Sequence, residues 1–165
     1  MKSFPSTDIP VVCDMSSDIF SRQLDFSKFD LIYAGAQKNM GPAGVTLVVV
    51  KEEILGKTGR NIPSILDFEK HIKAESMYNT PAVFAVYTSL LTMQWLKNQG
   101  GIPAIEKINE AKAKLLYDEI DRNSLFEGTA VAEDRSNMNA TFLLKDASHA
   151  ETFDKMWKMA LRHPF

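Results

Sequence analysis

A single cysteine, Cys13, stands in 165 residues, so the chain can form no internal disulfide and no cysteine-based metal cluster. Such sparing use fits a reducing compartment. Charge of one sign is lacking too: a net charge of −2 gives nucleic acid or an anionic membrane nothing to attract. No apolar run approaches the roughly 20 residues that cross a bilayer, and Met1-Lys2-Ser3-Phe4-Pro5 has no apolar signal-peptide core. His71, His149 and His163 lack metal-ligand spacing and paired carboxylates, and read as surface or core residues with no metal assigned. Ser-His-Asp arrangements, a Walker loop and a dinucleotide glycine fingerprint are missing as well. What remains is 45% hydrophobic, enough for a core. The chain reads as a soluble, cytoplasmic α/β protein.

Short apolar runs organise its first part. Residues 1–9 are polar and turn-prone, and Pro5 and Pro10 hold their predecessors extended. Val11-Val12-Cys13 predicts a short strand ending on Asp14; Leu31-Ile32-Tyr33 predicts a second and Val45–Val50 a third. Uncharged strands of this kind suit a mostly parallel sheet covered on both faces. A loop-rich passage follows to about Asn79. Thr80-Pro81 then gives a helix-start signal, a capping hydroxyl before a proline at the first helical position. From Val83 to Leu96 the helix is apolar nearly all round, which suggests burial between layers or against a second subunit.

Gly100-Gly101 stops that helix and marks the expected boundary between an α/β part, 1–99, and a smaller α+β part, 100–165. A second helix from Ile102 carries Ile105, Ile108, Leu115, Leu116 and Ile120 at helical spacing, with a solvated, charged opposite face. Residues 129–132 and 140–145 read as paired strands, and Ala150–Leu161 as a last amphipathic helix.

The stretch Tyr33–Gly44, YAGAQKNMGPAG, places one amine, Lys38, among glycines that let the backbone take positive φ or pass close to another body. Lys38 is either a solvated turn lysine or a partly desolvated, nucleophilic amine able to form a Schiff base. Asp14, at the carboxyl end of a strand where open α/β sheets bind ligands, caps its own turn or holds a protonated ring nitrogen. An amine and a carboxylate on neighbouring strand ends are what pyridoxal phosphate requires, since the protonated pyridine is the electron sink. Gln37, Ser16 and Ser17 could donate to a phosphate or only finish turns. Asn79-Thr80, at the expected helix start, suits an anion or a plain cap.

The strings Cys13-Asp14-Met15-Ser16-Ser17-Asp18, AGAQKNMGPAG at 34–44 and ESMYNTPAVFAVY at 75–87 resemble the phosphoserine aminotransferase family in order and spacing, as does Ser136-Asn137-Met138-Asn139. The resemblance implies a fold-type I pyridoxal-phosphate transferase: the C-terminal part of a cofactor-binding large domain over 1–99, then a partial small α+β domain over 100–165. It implies Lys38 as the catalytic residue, forming the Schiff base and shuttling the substrate proton. Asp14 would pair with the pyridine nitrogen and Gln37 would contact the cofactor phosphate. Asn79 and Thr80 would reach that phosphate in the neighbouring subunit of a homodimer. The implied reaction is reversible amino transfer between glutamate and 3-phosphohydroxypyruvate, giving phosphoserine and 2-oxoglutarate in serine biosynthesis, with a side role in pyridoxine synthesis in some bacteria.

Members of that family are about twice as long, and the segment after Lys158 departs from their arginine-containing substrate site, so no role passes to Arg162. The chain is therefore expected to be an internal fragment or truncated form, poorly soluble and with little or no transaminase activity. The second expectation is a non-enzymatic product that at most binds the cofactor or associates with a complete subunit.

Overall fold

Three strands meet in the first part of the chain in the order β1 (Val12–Asp14), β2 (Leu31–Gly35), β3 (Thr46–Val50). The computed structural model describes residues 6–162. Residues 1–5, read above as turn-prone, and His163 lie outside the described residues. By contact the chain divides into one unit up to Ile108 and another from Asn109 onward.

β1 and β2 are parallel, pairing Val12 with Leu31 and Asp14 with Tyr33. The sixteen residues between them, 15–30, supply the crossover that a parallel pair needs. β3 runs antiparallel to β2, pairing Gly35 with Thr46 and Leu31 with Val50. Only ten residues, 36–45, separate β2 from β3, too few for a crossover, so this pair departs from the parallel pattern.

Strand alternation sorts the two faces. Ile32 and Ala34 point into a core with Met15, Ile19, Phe29, Ala36 and Met40. Leu31 and Tyr33 point the other way. The expected cover on both faces is corrected on that second side, where Val12 is 60% and Tyr33 39% exposed. Beside β3 this face meets a short helix, α1 (Phe68–Lys73), whose Phe68 and Ile72 line an apolar slot of about 350 Å³ with Val48 and Val50. α1 lies within the passage expected to be loop. Asp67 caps it by accepting the Glu69 N–H at 3.0 Å, and Glu69 pairs with Lys73 one turn on.

α2 (Val83–Asn98) begins two residues later than the Thr80-Pro81 signal. Ala82 sits at φ −74°, ψ 77°, outside the helical region, and no side chain caps the helix. Small residues on this helix meet the glycine-rich segment instead. A methyl added to Gly44 would stand 2.9 Å from the Ala85 Cβ and 3.8 Å from that of Ala82. One on Gly41 would stand 3.2 Å from the Thr92 hydroxyl. Both glycines have positive φ, +114° at Gly41 and +128° at Gly44. Much of the rest of α2 is bare: Phe84 is 77% exposed, and Tyr87, Leu90, Leu91 and Trp95 are exposed as well. Among the described residues, full burial on this helix is limited to Ala85.

Gly100 and Gly101, both at positive φ, separate α2 from α3 (Gly101–Arg122). In the second unit Ala113, Tyr117 and Ile120 form one stripe, packed with Phe126, Ala140 and Phe142. Here β4 (Phe126–Gly128) pairs antiparallel with β5 (Phe142–Leu144). The expected strand at 129–132 is displaced toward the N-terminus. Phe126 sets the register by packing edge-on to Phe142, at 5.1 Å, and to Phe153 of α4 (Ala150–Arg162), at 5.8 Å. Thr129 and Thr141 extend the ladder through their hydroxyls, 2.6 Å apart, before the chain turns at Val131. Arg135 grips Asp121 through both terminal nitrogens and lies 4.6 Å over the Tyr117 ring.

The contact of α2 with the glycine segment predicts an asymmetric response to alanine. Gly59 also has positive φ, +61°, but nothing within 4 Å of an added methyl. Gly59→Ala should cost only the strain of a left-handed backbone, about 1 kcal/mol. Gly44→Ala adds steric overlap with Ala85 and the larger strain of a φ of +128°, together worth about 1–3 kcal/mol more. Denaturant midpoints measure the difference; equal losses would mean that α2 does not press on Gly44.

Candidate active site

Asp14 ends β1 on the exposed sheet face, registered beside Tyr33. The chain turns at once: Met15 goes into the core and its N–H donates to the Tyr33 carbonyl at 2.8 Å. The carboxylate is left at the rim. Its Oδ1 accepts the Ser16 N–H at 2.8 Å and the Ser16 hydroxyl at 2.6 Å, closing an Asx turn. Ser16 Oγ in turn accepts the Gly35 N–H at 3.0 Å. One hydroxyl therefore joins the carboxylate at the end of β1 to the end of β2.

These bonds keep the Asp14 carboxyl below the ordinary carboxylate range, the Ser16 hydroxyl contributing most and the Ser16 N–H next. Tyr33 alongside lowers it a little further, and the Lys38 ammonium adds a weaker electrostatic pull. The Tyr33 phenol responds in the opposite sense, pushed up chiefly by the Asp14 charge.

Lys38 sits between two buried anchors. Ala36 and Met40 both enter the core cluster, while Gln37 and Lys38 face solvent. The Ala36 N–H donates to the Val45 carbonyl at 2.7 Å, and the Gly41 N–H returns toward the Lys38 carbonyl at 3.4 Å. Gly41 takes the positive φ that this turn needs. Of the two alternatives for Lys38, the exposed one describes this structure: the loop packs through its underside, and the residue is exposed. Asn39, beside it, turns inward, and its Nδ2 donates to the Ser17 carbonyl at 3.2 Å and the Ile19 carbonyl at 2.9 Å.

The structure thus brings Asp14 and Lys38 to one rim, with Gln37 next to the amine. Asn79 and Thr80 are exposed and precede α2; Asn79 Nδ2 approaches the Thr80 carbonyl at 3.4 Å. No contact joins them to Asp14 or Lys38 among the described residues. His71 meets the Ile65 carbonyl at 2.8 Å and the edge of Tyr78, and His149 stands 3.9 Å from Asp146. Among the described residues no cluster of three or more His, Cys, Asp and Glu could hold a metal ion, and no helix is long and apolar enough to cross a membrane.

Two members of the rim escaped sequence reasoning. Tyr33 was legible only through the register that sets it beside Asp14. Asn39 was legible only as a polar neighbour of the lysine, with nothing to say that its amide turns inward. Chemically, the rim offers an anionic carboxylate that can accept from a cationic ring nitrogen, and a primary amine that can condense with an aldehyde.

Residues 1–160 match the aminotransferase class-V family. Over 160 residues the chain is 81% identical to the phosphoserine aminotransferase of Flavobacterium psychrophilum, covering 97% of this chain and 45% of that protein. It is 50% identical over 153 residues to the phosphoserine aminotransferase of Bacillus subtilis, covering 92% and 43%. Among solved structures, phosphoserine aminotransferase from Bacillus circulans subsp. alkalophilus superposes with a TM-score of 0.89 at 38% identity, covering 96% of this chain and 45% of that one. The pyridoxal-phosphate-bound phosphoserine aminotransferase from Trichomonas vaginalis superposes with a TM-score of 0.88 at 32% identity, covering 96% and 46%. The chain spans about 45% of the length of the curated relatives it matches. Its mixed α/β architecture is that of these fold-type I enzymes. The chain belongs to the class-V aminotransferase family.

Proposed function

We propose that the chain serves a phosphoserine aminotransferase: reversible, pyridoxal-phosphate-dependent amino transfer between glutamate and 3-phosphohydroxypyruvate, giving O-phospho-L-serine and 2-oxoglutarate in cytoplasmic serine synthesis. The observation that carries this reading is the pairing of a hydrogen-bonded, ionised Asp14 with Lys38 on one sheet rim. The donor set fits pyridoxal phosphate. Asp14 keeps an anion where a protonated pyridine nitrogen needs one, and Lys38 supplies an amine for the aldehyde. When bound, the cofactor supplies the electron sink for the pair of electrons left at the substrate Cα.

The chain's own residues divide the remaining work. Lys38 would carry the proton between the substrate Cα and the cofactor's aldehyde carbon, which the turn permits because only the underside of the loop is anchored. Asp14 holds the ring nitrogen, and Ser16 holds Asp14. Gln37 donates its amide to the cofactor phosphate. Asn79 and Thr80, exposed ahead of α2, are free to serve a neighbouring subunit of a homodimer, and the bare face of α2 is consistent with such a neighbour. A second reading rests on the exposure of Lys38 and on the 45% coverage: the isolated chain captures cofactor without turning over substrate.

Incubation with pyridoxal phosphate, borohydride reduction and peptide mass mapping should place the label on Lys38. Lys38→Ala should abolish it. Label spread evenly over surface lysines would sink both readings, whereas selective label without phosphoserine turnover would select the second.

Asp14 gives a pH prediction with a definite sign. Its folded pKa is depressed, so the hydrogen-bonded anion stabilises the turn fully above the unfolded value of about 3.9. That contribution disappears as pH falls through the lower folded value. Ser16→Ala removes the largest cause and should move the Asp14 carboxyl titration upward, as read by carbon NMR. An unmoved titration would show that Ser16 does not hold the carboxylate.

A further inference from the structure

The Asp14 turn and the Lys38 segment touch at more than the sheet. Met15 N–H to the Tyr33 carbonyl and Gly35 N–H to Ser16 Oγ fasten the turn to β2, but both contacts lie before Lys38 in the chain. Beyond the lysine, the tie is the side chain of Asn39. Its two N–H bonds end on the carbonyls of Ser17 and Ile19, three and five residues after Asp14. The asparagine is half-buried, and its neighbour Met40 shares the core with Ile19. Ile19 is followed by Phe20 at φ +60°, a left-handed conformation that a bulky residue holds only under external constraint. The hydrogen bond that the Asn39 amide donates to the Ile19 carbonyl fastens the chain at that point.

We propose that Asn39 is a positioning residue for the catalytic pair: by bridging the Ser17 and Ile19 carbonyls it fixes the Lys38 segment against the turn that carries Asp14. The inference rests on the proposed roles of Lys38 and Asp14 and adds a residue to them. Gln37 and Lys38 then span a gap clamped on both sides, by Ser16 with Gly35 before it and by Asn39 after it. The side-chain chemistry is specific. An amide nitrogen supplies two donors to two carbonyls, and a carboxylate of the same shape supplies none and repels both.

Two readouts on the chain decide the matter. The first needs no cofactor: NMR order parameters at Gln37 and Lys38. In Asn39→Ala they should fall from rigid-backbone values near 0.85 toward about 0.6, with β2 and β3 unchanged, and in Asn39→Asp they should fall further. The second is the rate of Lys38 capture of pyridoxal phosphate, trapped with borohydride over a range of cofactor concentrations. In Asn39→Asp the rate at saturating cofactor should fall about tenfold, with the half-saturating concentration little changed, because positioning and not affinity is lost.

Ile32→Val, a buried core change, controls for lost stability and should leave both readouts at wild-type values. Asn39→Ala keeps the test alive should the aspartate variant fail to fold. Unchanged order at Gln37 and Lys38, or a capture rate that falls equally in Ile32→Val, overturns the proposal. Wild-type chain with no selective capture at Lys38 overturns the functional reading alone, and the order parameters still decide whether Asn39 fixes the segment.

Discussion

The parallel register of β1 on β2 is the constraint on which the site depends. It brings two strand ends to one rim, with Asp14 at one end and the loop carrying Lys38 leaving the other. Ligand sites in open α/β sheets gather at such carboxyl ends because the loops there are free to diverge while the strands below stay fixed. Ser16 converts that shared rim into a bonded one, since its single oxygen donates to the Asp14 carboxylate and accepts from Gly35. A slip of one residue would turn Asp14 into the core and Met15 outward, placing a charge where a large apolar group now sits. The core and the site therefore enforce the same register.

The glycines of the next segment serve the same geometry from the other side. Gly41 and Gly44 let the backbone lie against Ala85 and Thr92 of α2, so the loop is held between that helix and the sheet end. With Ala36 and Met40 as anchors below and Asn39 tied to the Asp14 turn, the loop leaves freedom chiefly to the exposed side chains of Gln37 and Lys38. The proton transfer proposed for Lys38 needs a head that moves over a backbone that stays put, and this division of rigid base and free tip suits it. The exposed apolar side of α2 has no such partner within the described residues.

Much of this was legible in the chain itself. Asp14 and Lys38 stood out because a charge at the end of an apolar run, and an amine among glycines, have few reasons to be where they are. β2, β3 and the double glycine before α3 were equally plain. What escaped depended on contacts distant in sequence. Tyr33 reads as a strand aromatic until the register puts it beside Asp14. Asn39 reads as a turn residue until the fold brings Ser17 and Ile19 to it. The start of α2 followed its tertiary contact with Gly44 and not the Thr80-Pro81 signal, and β4 followed the aromatic trio of Phe126, Phe142 and Phe153. Local signals lose to packing wherever the packing free energy exceeds the local preference.

The order of the forces on Asp14 has a consequence for catalysis. A lysine that condenses with an aldehyde, or acts as a base, must give up its positive charge. On the proposed roles, Asp14 must stay anionic while that charge is lost, as an exposed carboxylate does at neutral pH. The Ser16 hydroxyl and N–H are the main causes that lower its carboxyl further, and Lys38 contributes least. Tyr33, its phenol pushed up by the same anion, stays a donor across the neutral range. The carboxylate is thus held by groups that do not change state in the reaction, and the amine is free to change its own. On the proposed roles, a fixed charge at Asp14 and a variable one at Lys38 let two oppositely charged side chains share a rim without cancelling each other's chemistry.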